Sequence, residues 1–227
     1  MSANPDFIYQ PPMSPYLDII YQDDDLVVLN KPSGLLTVPG RLPEHQDCLQ
    51  NRVIKVLPTA TVVHRLDMAT SGIILMALNK PAHAAVSQQF EKRLTKKRYI
   101  ARVFGYVKYL TGSVDLPLIC DWPNRPMQKV DHEHGKPSLT HYRVLSHDKN
   151  IDDNMTTLVE LSPITGRSHQ LRVHMLAIGH PILGDRLYAH EKALTVSNRL
   201  QLHAQMLEIS HPVSKQALVF SKACPFD

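Results

Sequence analysis

Apolar residues recur along this chain in short runs separated by polar turns, a pattern typical of β-strands. The first two runs, 16–21 and 26–29, flank the acidic turn 22–25 and predict a hairpin. Two later runs, 61–63 and 73–78, enclose a polar segment, which the pattern predicts to be a loop between two buried strands. Further strands are predicted at residues 98–104, 139–145, 155–161, 200–209 and 217–220.

Helical spacing of apolar residues occurs in three segments. These are residues 46–57, 82–94 and 168–178. Gly179 is the expected C-terminal stop of the third helix, because glycine adopts the left-handed conformation that ends many helices. Helices therefore interrupt the predicted strands at only a few points.

This order of elements predicts the α+β class. Strands that come mainly in neighbouring runs favour a mixed, mostly antiparallel sheet flanked by helices and loops, rather than a regular βαβ repeat. We expect a single domain over residues 16–227. Residues 1–15 are polar and proline-rich, and we expect them to form a poorly ordered N-terminal extension.

Composition indicates the general class of protein but says little about its function. The chain has 43% hydrophobic and 20% charged residues, as ordinary globular proteins do, and its formal net charge of +4 permits an anionic partner without requiring one. Its three cysteines lack metal-ligand spacing and indicate a reducing compartment. No signal peptide is visible, and the longest apolar run, 72–78, is too short to span a bilayer. We expect a cytoplasmic protein.

The predicted loop at residues 64–72 carries the side chains best suited to chemistry. Asp67 has two interpretations, because an aspartate before Thr-Ser-Gly can simply hydrogen-bond its own backbone in a turn. A carboxylate that acts as a nucleophile must stay ionised in a dry site, and this requires a nearby cation. Arg167, at the start of the third predicted helix, is either an ordinary surface arginine or this cation, since a positive charge there opposes the helix dipole unless a carboxylate offsets it.

Histidine spacing does not predict a metal site. His169 and His174 are five residues apart, so they point in different directions on a helix and to opposite faces of a strand. The sequence at 132–134 offers no third ligand at a recognisable spacing. We predict no metal.

Two clusters of basic and aromatic residues suit an anionic partner, although each also has a structural interpretation. The first is the densest positive patch of the chain and consists of Lys92, Arg93, Lys96, Lys97 and Arg98. It either complements a helix C-terminus or holds phosphates. The second places Arg125 and Lys129 near Trp122, either in a proline-stiffened connector or in an RNA-contact loop. Tyr99 has the spacing of an ordinary strand tyrosine at the edge of the core.

The segment His64-Arg65-Leu66-Asp67-Met68-Ala69-Thr70-Ser71-Gly72 resembles the HRLDxxTSG signature of the RluA-type pseudouridine synthases. Residues 30–36 resemble the first motif of that family, residues 163–174 its third, and residues 184–188 a further one, with Ala189 where glycine is common. The resemblance implies an isomerase that converts uridine to pseudouridine in structured RNA, in an active-site cleft across the sheet. It implies no cofactor, because the reaction is an isomerisation. The separate N-terminal RNA-binding domain common in the family is not expected here.

The same resemblance implies roles for individual residues. Asp67 would be the nucleophile, Arg167 its partner, and Tyr99 the residue that stacks on the target uracil and is a candidate to take its C5 proton. Arg65 would replace the extruded base in the RNA, with His64 beside it. The remaining expected RNA contacts are Lys96, Lys97, Arg98, Trp122, Arg125 and Lys129. Whether Asp67 attacks uracil C6 or ribose C1′ stays open, as does the oligomeric state.

By resemblance, the expected partners are a loop of 23S rRNA and the anticodon stem-loop of certain tRNAs, with no DNA, no membrane and no obligate protein partner. Two other functions remain. A non-catalytic RNA-binding protein, in which Asp67 only shapes a turn, would bind RNA without forming product. A hydrolase that pairs Asp67 with His64 or His169 would cleave the strand or release a base.

Overall fold

The computed structural model describes residues 8–149 and 154–226, and the chain forms two compact units. We call Tyr9–Lys97 with His203–Cys224 the aspartate unit, because it contains Asp67. We call Arg98–Leu202, with the described residues at the two chain ends, the arginine unit, because it contains Arg167.

The regular elements follow in chain order. The strands are β1 (Ile19–Gln22), β2 (Leu26–Lys31), β3 (Thr61–Val62), β4 (Ser71–Ala77), β5 (Lys96–Phe104), β6 (Thr111–Asp115), β7 (Leu118–Cys120), β8 (Gln128–Val130), β9 (Leu139–Lys149), β10 (Met155–Pro163), β11 (Leu202–Ser210) and β12 (Ala217–Ser221). The α-helices are α1 (Leu49–Ile54), α2 (Lys80–Glu91), α3 (Gln170–Ala177) and α4 (Glu191–Thr195). Short 3₁₀ turns lie at Pro43–His45 and Trp122–Asn124.

The sheet of the aspartate unit is centred on β4, in which every residue is buried. Strands β2 and β3 pair with β4 antiparallel, β1 pairs antiparallel with β2, and β11 pairs with β4 in parallel. Antiparallel β12 follows β11. The buried face of α2, Ala82 and Val86, packs on Leu75 and its neighbours in this core. A strand buried on both faces needs a continuous apolar sequence, as residues 73–78 have.

In the arginine unit, strands β5, β10, β9 and β6 pair antiparallel in that order, and β7 pairs with β8 in a separate hairpin. A small core of Leu118, Val173 and Tyr188 joins this hairpin to α3. The predicted α+β class with a mixed, mostly antiparallel sheet is confirmed. Strand β6 escaped prediction because its sequence, Thr-Gly-Ser-Val-Asp, has one apolar residue and lies at the edge of the sheet.

Arg52 organises the chain segment that precedes β1. Its guanidinium is completely buried and forms two hydrogen bonds of 2.7 Å with the carboxylate of Asp47. It also donates to the carbonyls of Pro12 at 2.8 Å and Tyr16 at 3.2 Å, and lies over the Tyr16 ring. The hydrogen bonds from Arg52 lower the pKa of Asp47 below its usual value. Arg52 thus binds two backbone carbonyls that lie 40 and 36 residues before it in the sequence.

Tyr9 fixes the same segment at a second point. Its hydroxyl donates to the carbonyl of Asp47 at 2.7 Å and accepts the N–H of Leu36 at 3.0 Å. Residues 9–15, which we expected to be poorly ordered, therefore form a strap along the aspartate unit, and residues 1–7 lie outside the described range. Within the described residues, no helix is long and apolar enough to cross a membrane.

We predict that Arg52→Met lowers the free energy of unfolding by about 3 kcal/mol, because it leaves a carboxylate and two carbonyls without their shared donor. Urea unfolding measures this change. Lys55→Met removes an exposed cation near the same helix and serves as control, with an expected change below about 0.5 kcal/mol. Equal stabilities of the two variants would contradict the organising role of Arg52.

Candidate active site

The loop that carries Asp67 joins β3 to β4, as the sequence predicted. Asp67 is half-buried, and its carbonyl accepts the N–H of Thr70 at 3.1 Å, which closes a tight turn. Leu66, immediately before it, is buried, whereas Arg65 is exposed. The backbone therefore turns its hydrophobic residue inward and presents the acid and the arginine from a short, closed loop.

Lys31 binds the backbone of this loop from the protein interior. Its side chain is completely buried, and its ammonium donates to the carbonyls of Pro32 at 3.0 Å, Leu35 at 2.7 Å and Met68 at 3.0 Å. A buried ammonium retains its charge only when acceptors replace its water, and three carbonyls match its three N–H donors. One of these carbonyls belongs to the residue directly after Asp67.

Further bonds from residues 33–37 hold the same loop. Ser33 donates its hydroxyl to the carbonyl of Ala69 at 2.7 Å, and the N–H of Gly34 reaches the carbonyl of Met68 at 2.8 Å. The Thr37 hydroxyl donates to the carbonyl of Leu66 at 2.7 Å and accepts the N–H of that residue. The backbone on both sides of Asp67 is thus fixed by one segment, the one that resembles the first motif.

Gly72 is required by packing at the end of the loop. Its φ is +115°, and a Cβ at this position would lie 2.3 Å from the carbonyl oxygen of Ala204 in the adjacent strand β11. The neighbouring Ser71 hydroxyl lies 2.9 Å from Nδ1 of His203 in the same strand. The final Ser-Gly of the signature therefore secures the close approach of β4 to β11.

The side chain of His64 makes contacts within the protein that its position in the sequence did not indicate. Its ring stacks on Phe90 with centroids 4.5 Å apart, and its Nε2 accepts the N–H of Leu75 at 3.0 Å. Burial, together with the charge of Lys97, lowers the pKa of His64 from 6.5 to about 3. The imidazole is therefore neutral, because the nitrogen that would take a proton is already an acceptor. Its predicted contact with RNA stays a prediction.

The basic residues at the start of β5 differ in their surroundings. Lys96 is exposed and forms an ion pair of 2.7 Å with Glu208. Lys97 is half-buried, and burial followed by the charge of Arg93 lowers its pKa. Arg98, the first residue of the arginine unit, lies 3.5 Å from Glu160. Within the described residues, the predicted phosphate-binding patch thus contains both paired and unpaired cations.

In the arginine unit, Gln170 fixes the backbone that carries Arg167. Its Oε1 accepts the Arg167 N–H at 3.0 Å and the Thr165 hydroxyl at 2.7 Å, while its Nε2 donates to the carbonyl of Leu139 at 3.0 Å. The Arg167 side chain is exposed and donates from Nε to the carbonyl of Pro137 at 3.3 Å. Arg167 precedes the first turn of α3, as predicted.

A hydroxyl connects this loop to the β7–β8 hairpin. Tyr188 lies 2.6 Å from Nδ1 of His169 and accepts the N–H of Gln128 in β8 at 2.8 Å. Arg172 packs over the Tyr188 ring and forms a buried ion pair of 2.6 Å with Asp185. Sequence reasoning missed this network, since its members lie in three separate segments.

The remaining predicted residues of the arginine unit lie on β5 and on the hairpin. Tyr99 is half-buried on β5, opposite Leu161 of β10. Trp122 has 67% of its surface exposed, and the Arg125 guanidinium lies 4.4 Å from its ring centroid. Lys129 is exposed on β8. An exposed indole with a cation on its face is suited to stacking against a nucleobase.

The histidines named in the sequence analysis have other partners than a metal. His174 is buried with Nδ1 3.0 Å from the Thr140 hydroxyl. Within the described residues, Asp23, Asp25 and His211 form a group of possible ligand atoms within 4.8 Å of one another. However, Nδ1 of His211 accepts two backbone N–H groups, so Nε2 carries the proton and donates it to Asp23 at 3.0 Å. The arrangement of this group is therefore that of a hydrogen bond between His211 and Asp23.

The chain is similar to known proteins in both sequence and fold. The family model for RNA pseudouridylate synthase matches residues 25–177. The dual-specificity RNA pseudouridine synthase RluA of Escherichia coli (strain K12) is 56% identical over 218 residues, which cover 96% of this chain and 98% of that protein. Its namesake from Vibrio vulnificus (strain CMCP6) is 54% identical over 218 residues, covering 96% and 87%. The structure of human RNA pseudouridylate synthase domain containing 1 aligns with a TM-score of 0.79 at 29% identity, covering 96% of this chain and 87% of that one.

We predict that His64 makes stability depend on pH. Because its pKa is about 3 in the folded protein against 6.5 as its ordinary value, the unfolded chain binds a proton that the folded protein does not. The free energy of unfolding therefore falls as the pH drops below about 6.5, by up to about 1.4 kcal/mol per pH unit. Urea unfolding at several pH values between about 4.5 and 6.5 measures this slope.

The His64→Gln variant should have a flatter profile, whatever its absolute stability. His132→Gln, a change at an exposed loop histidine, should keep the slope of the unsubstituted protein. Parallel profiles for His64→Gln and the unsubstituted protein would refute the neutral, buried state of His64.

Proposed function

The chain belongs to the RNA pseudouridylate synthase family, and on that premise we propose that Asp67 is the nucleophile that isomerises uridine to pseudouridine in RNA. The chain is an isomerase, and its substrate is RNA. The observation that supports Asp67 is the clamp of Lys31 and residues 33–37 on the backbone beside it. A nucleophile contributes most when its approach is fixed before the substrate arrives, and this clamp provides such a constraint.

The proposed reaction begins when the target uridine leaves the RNA stack, at a cost of a few kcal/mol. The Asp67 carboxylate attacks either C6 of the uracil or C1′ of the ribose, and the bond between N1 and C1′ breaks. The uracil rotates, C5 bonds to C1′, and the proton on C5 is lost while N1 gains one. Atoms and charge balance without an oxidant, a reductant or a leaving group.

Arg167 and Tyr99 are proposed from their motifs. Arg167 is the cation that keeps Asp67 ionised. The hydrogen bond from its backbone N–H to Gln170 supports this role, because it fixes the backbone from which the side chain extends. Tyr99 stacks on the uracil and is the candidate acceptor of the C5 proton. Its half-buried place on a central strand is compatible with a ring that offers one face.

The kinds of RNA on which the chain acts are a more specific proposal. The relatives from Escherichia coli and Vibrio vulnificus carry the name dual-specificity RNA pseudouridine synthase. We propose that this chain likewise acts on two kinds of RNA, a 23S rRNA loop and the anticodon stem-loop of certain tRNAs, in the cytoplasm. Loops are suitable targets because their bases can be splayed out. We propose that Arg65 fills the gap in the stack, and its exposure on the loop supports this role.

We predict that Asp67→Asn abolishes release of tritium from RNA carrying C5-tritiated uridine and leaves RNA affinity near that of the unsubstituted protein. The amide keeps the size of the carboxylate but cannot act as the nucleophile. Asp24→Asn, the same change at an exposed turn residue, should retain full activity. Substantial turnover by Asp67→Asn would remove the nucleophile from the proposal. Strand cleavage would favour the hydrolase, and RNA binding without tritium release by the unsubstituted protein would favour a binding protein.

We predict that Trp122→Ala weakens binding of an anticodon stem-loop RNA by about tenfold, since stacking of one base on an aromatic ring contributes about 1–3 kcal/mol. Fluorescence anisotropy with a labelled stem-loop measures this change. Tyr109→Ala is the matched control, because Tyr109 is equally exposed in the same unit, at 68%, but lies outside the hairpin. Equal losses from the two variants would indicate a nonspecific effect of removing exposed aromatic area.

A further inference from the structure

Two adjacent lysines at the start of β5 are equivalent in sequence but not in structure. Lys96 extends into solvent and is already paired with Glu208. Lys97 points to the other face of the strand, where it is half-buried. Among the described residues, its ammonium forms neither a hydrogen bond nor an ion pair. A half-buried cation without an acceptor is costly, so a protein that keeps one commonly uses it to bind an anion.

Among the described residues, the charge that acts on Lys97 is positive, and no carboxylate offsets it. Arg93, which ends the turn after α2 with a φ of +58°, is the charged group that acts on Lys97, and it lowers the pKa of that ammonium further. His64 is the titratable group on which Lys97 acts in turn. His64 is neutral, so it neither pairs with Lys97 nor adds a third charge. The local potential is therefore positive and favours an anion.

The position of this cation relates it to the chemistry. His64 is the first residue of the segment that carries Asp67, and its stacking on Phe90 holds that end of the segment against α2. An anion bound to Lys97 therefore lies beside the first residue of the nucleophile-bearing loop.

We propose that Lys97, assisted by Arg93, binds a backbone phosphate of the RNA next to the uridine that is isomerised, and that Lys96 does not. This assignment rests on the proposed function, since it requires RNA at the loop of Asp67. In free protein Lys97 is an incompletely solvated cation, and the phosphate supplies its missing partner. Binding at this point fixes the position of the RNA and reads no base.

The test compares Lys97→Met with Lys96→Met, each in the Asp67→Asn background so that the RNA stays unmodified. Methionine keeps the apolar length of lysine and removes its charge. With an anticodon stem-loop as probe, Lys97→Met should raise Kd about tenfold and reduce the slope of log Kd against log salt concentration by about one. Lys96→Met should change Kd less than about twofold, because Glu208 already neutralises that lysine.

Two further measurements separate this contact from a fold defect. The melting temperature of Lys97→Met should equal or exceed that of its parent, since the substitution removes an unpaired, half-buried charge. Lys97→Arg should restore binding, because a guanidinium also carries a positive charge that binds a phosphate.

Equal Kd values and salt slopes for Lys97→Met and Lys96→Met would overturn the assignment. So would failure of Lys97→Arg to restore binding. Failure of the parent to bind any stem-loop, together with no tritium release by the unsubstituted protein, would instead overturn the proposed function.

Discussion

The geometry around Asp67, the proposed nucleophile, depends on one buried ammonium. Lys31 lies inside the protein with no exposed surface and binds three carbonyls, one of which belongs to the residue after Asp67. Residues 33–37 add bonds to the carbonyls on either side. A loop at a protein surface is ordinarily the most variable part of a fold, but here the carbonyls of Leu66, Met68 and Ala69 all accept hydrogen bonds from one neighbouring segment. The loop therefore behaves as part of the sheet and not as a flexible connection.

Three buried or half-buried cations of the aspartate unit illustrate how partners decide the role of a charge. Lys31 is satisfied by carbonyls and fixes a loop. Arg52 is satisfied by Asp47 and by carbonyls of the strap, and it anchors the chain before β1. Lys97 has no such acceptor among the described residues, and this difference led us to assign it to substrate rather than to the fold. Burial alone does not distinguish these roles, whereas the acceptors around each group do.

Local patterns in the sequence account for most of the architecture. The apolar runs predicted the strands on both sides of Asp67 and the third helix, because hydrophobic periodicity is a local property. Strand β6 and the hairpin strands β7 and β8 are short and mixed in composition, so periodicity passes them over. The signature predicted Asp67 as the nucleophile, but nothing local indicated that Lys31 is buried or that His64 accepts a backbone N–H. These properties arise from contacts between residues distant in sequence, which no window of residues contains.

The close approach of Gly72 to Ala204 shows that the signature contains a residue required by packing as well as the candidate catalytic residue. Gly72 is present because a side chain would collide with a neighbouring strand, and this collision would occur whether or not the protein catalysed anything. A descendant that lost Asp67 would still need that glycine in order to fold. It would therefore continue to match most of the signature. On the proposed role of Asp67, the residue at position 67 would then distinguish an active enzyme from an inactive relative that keeps the same fold.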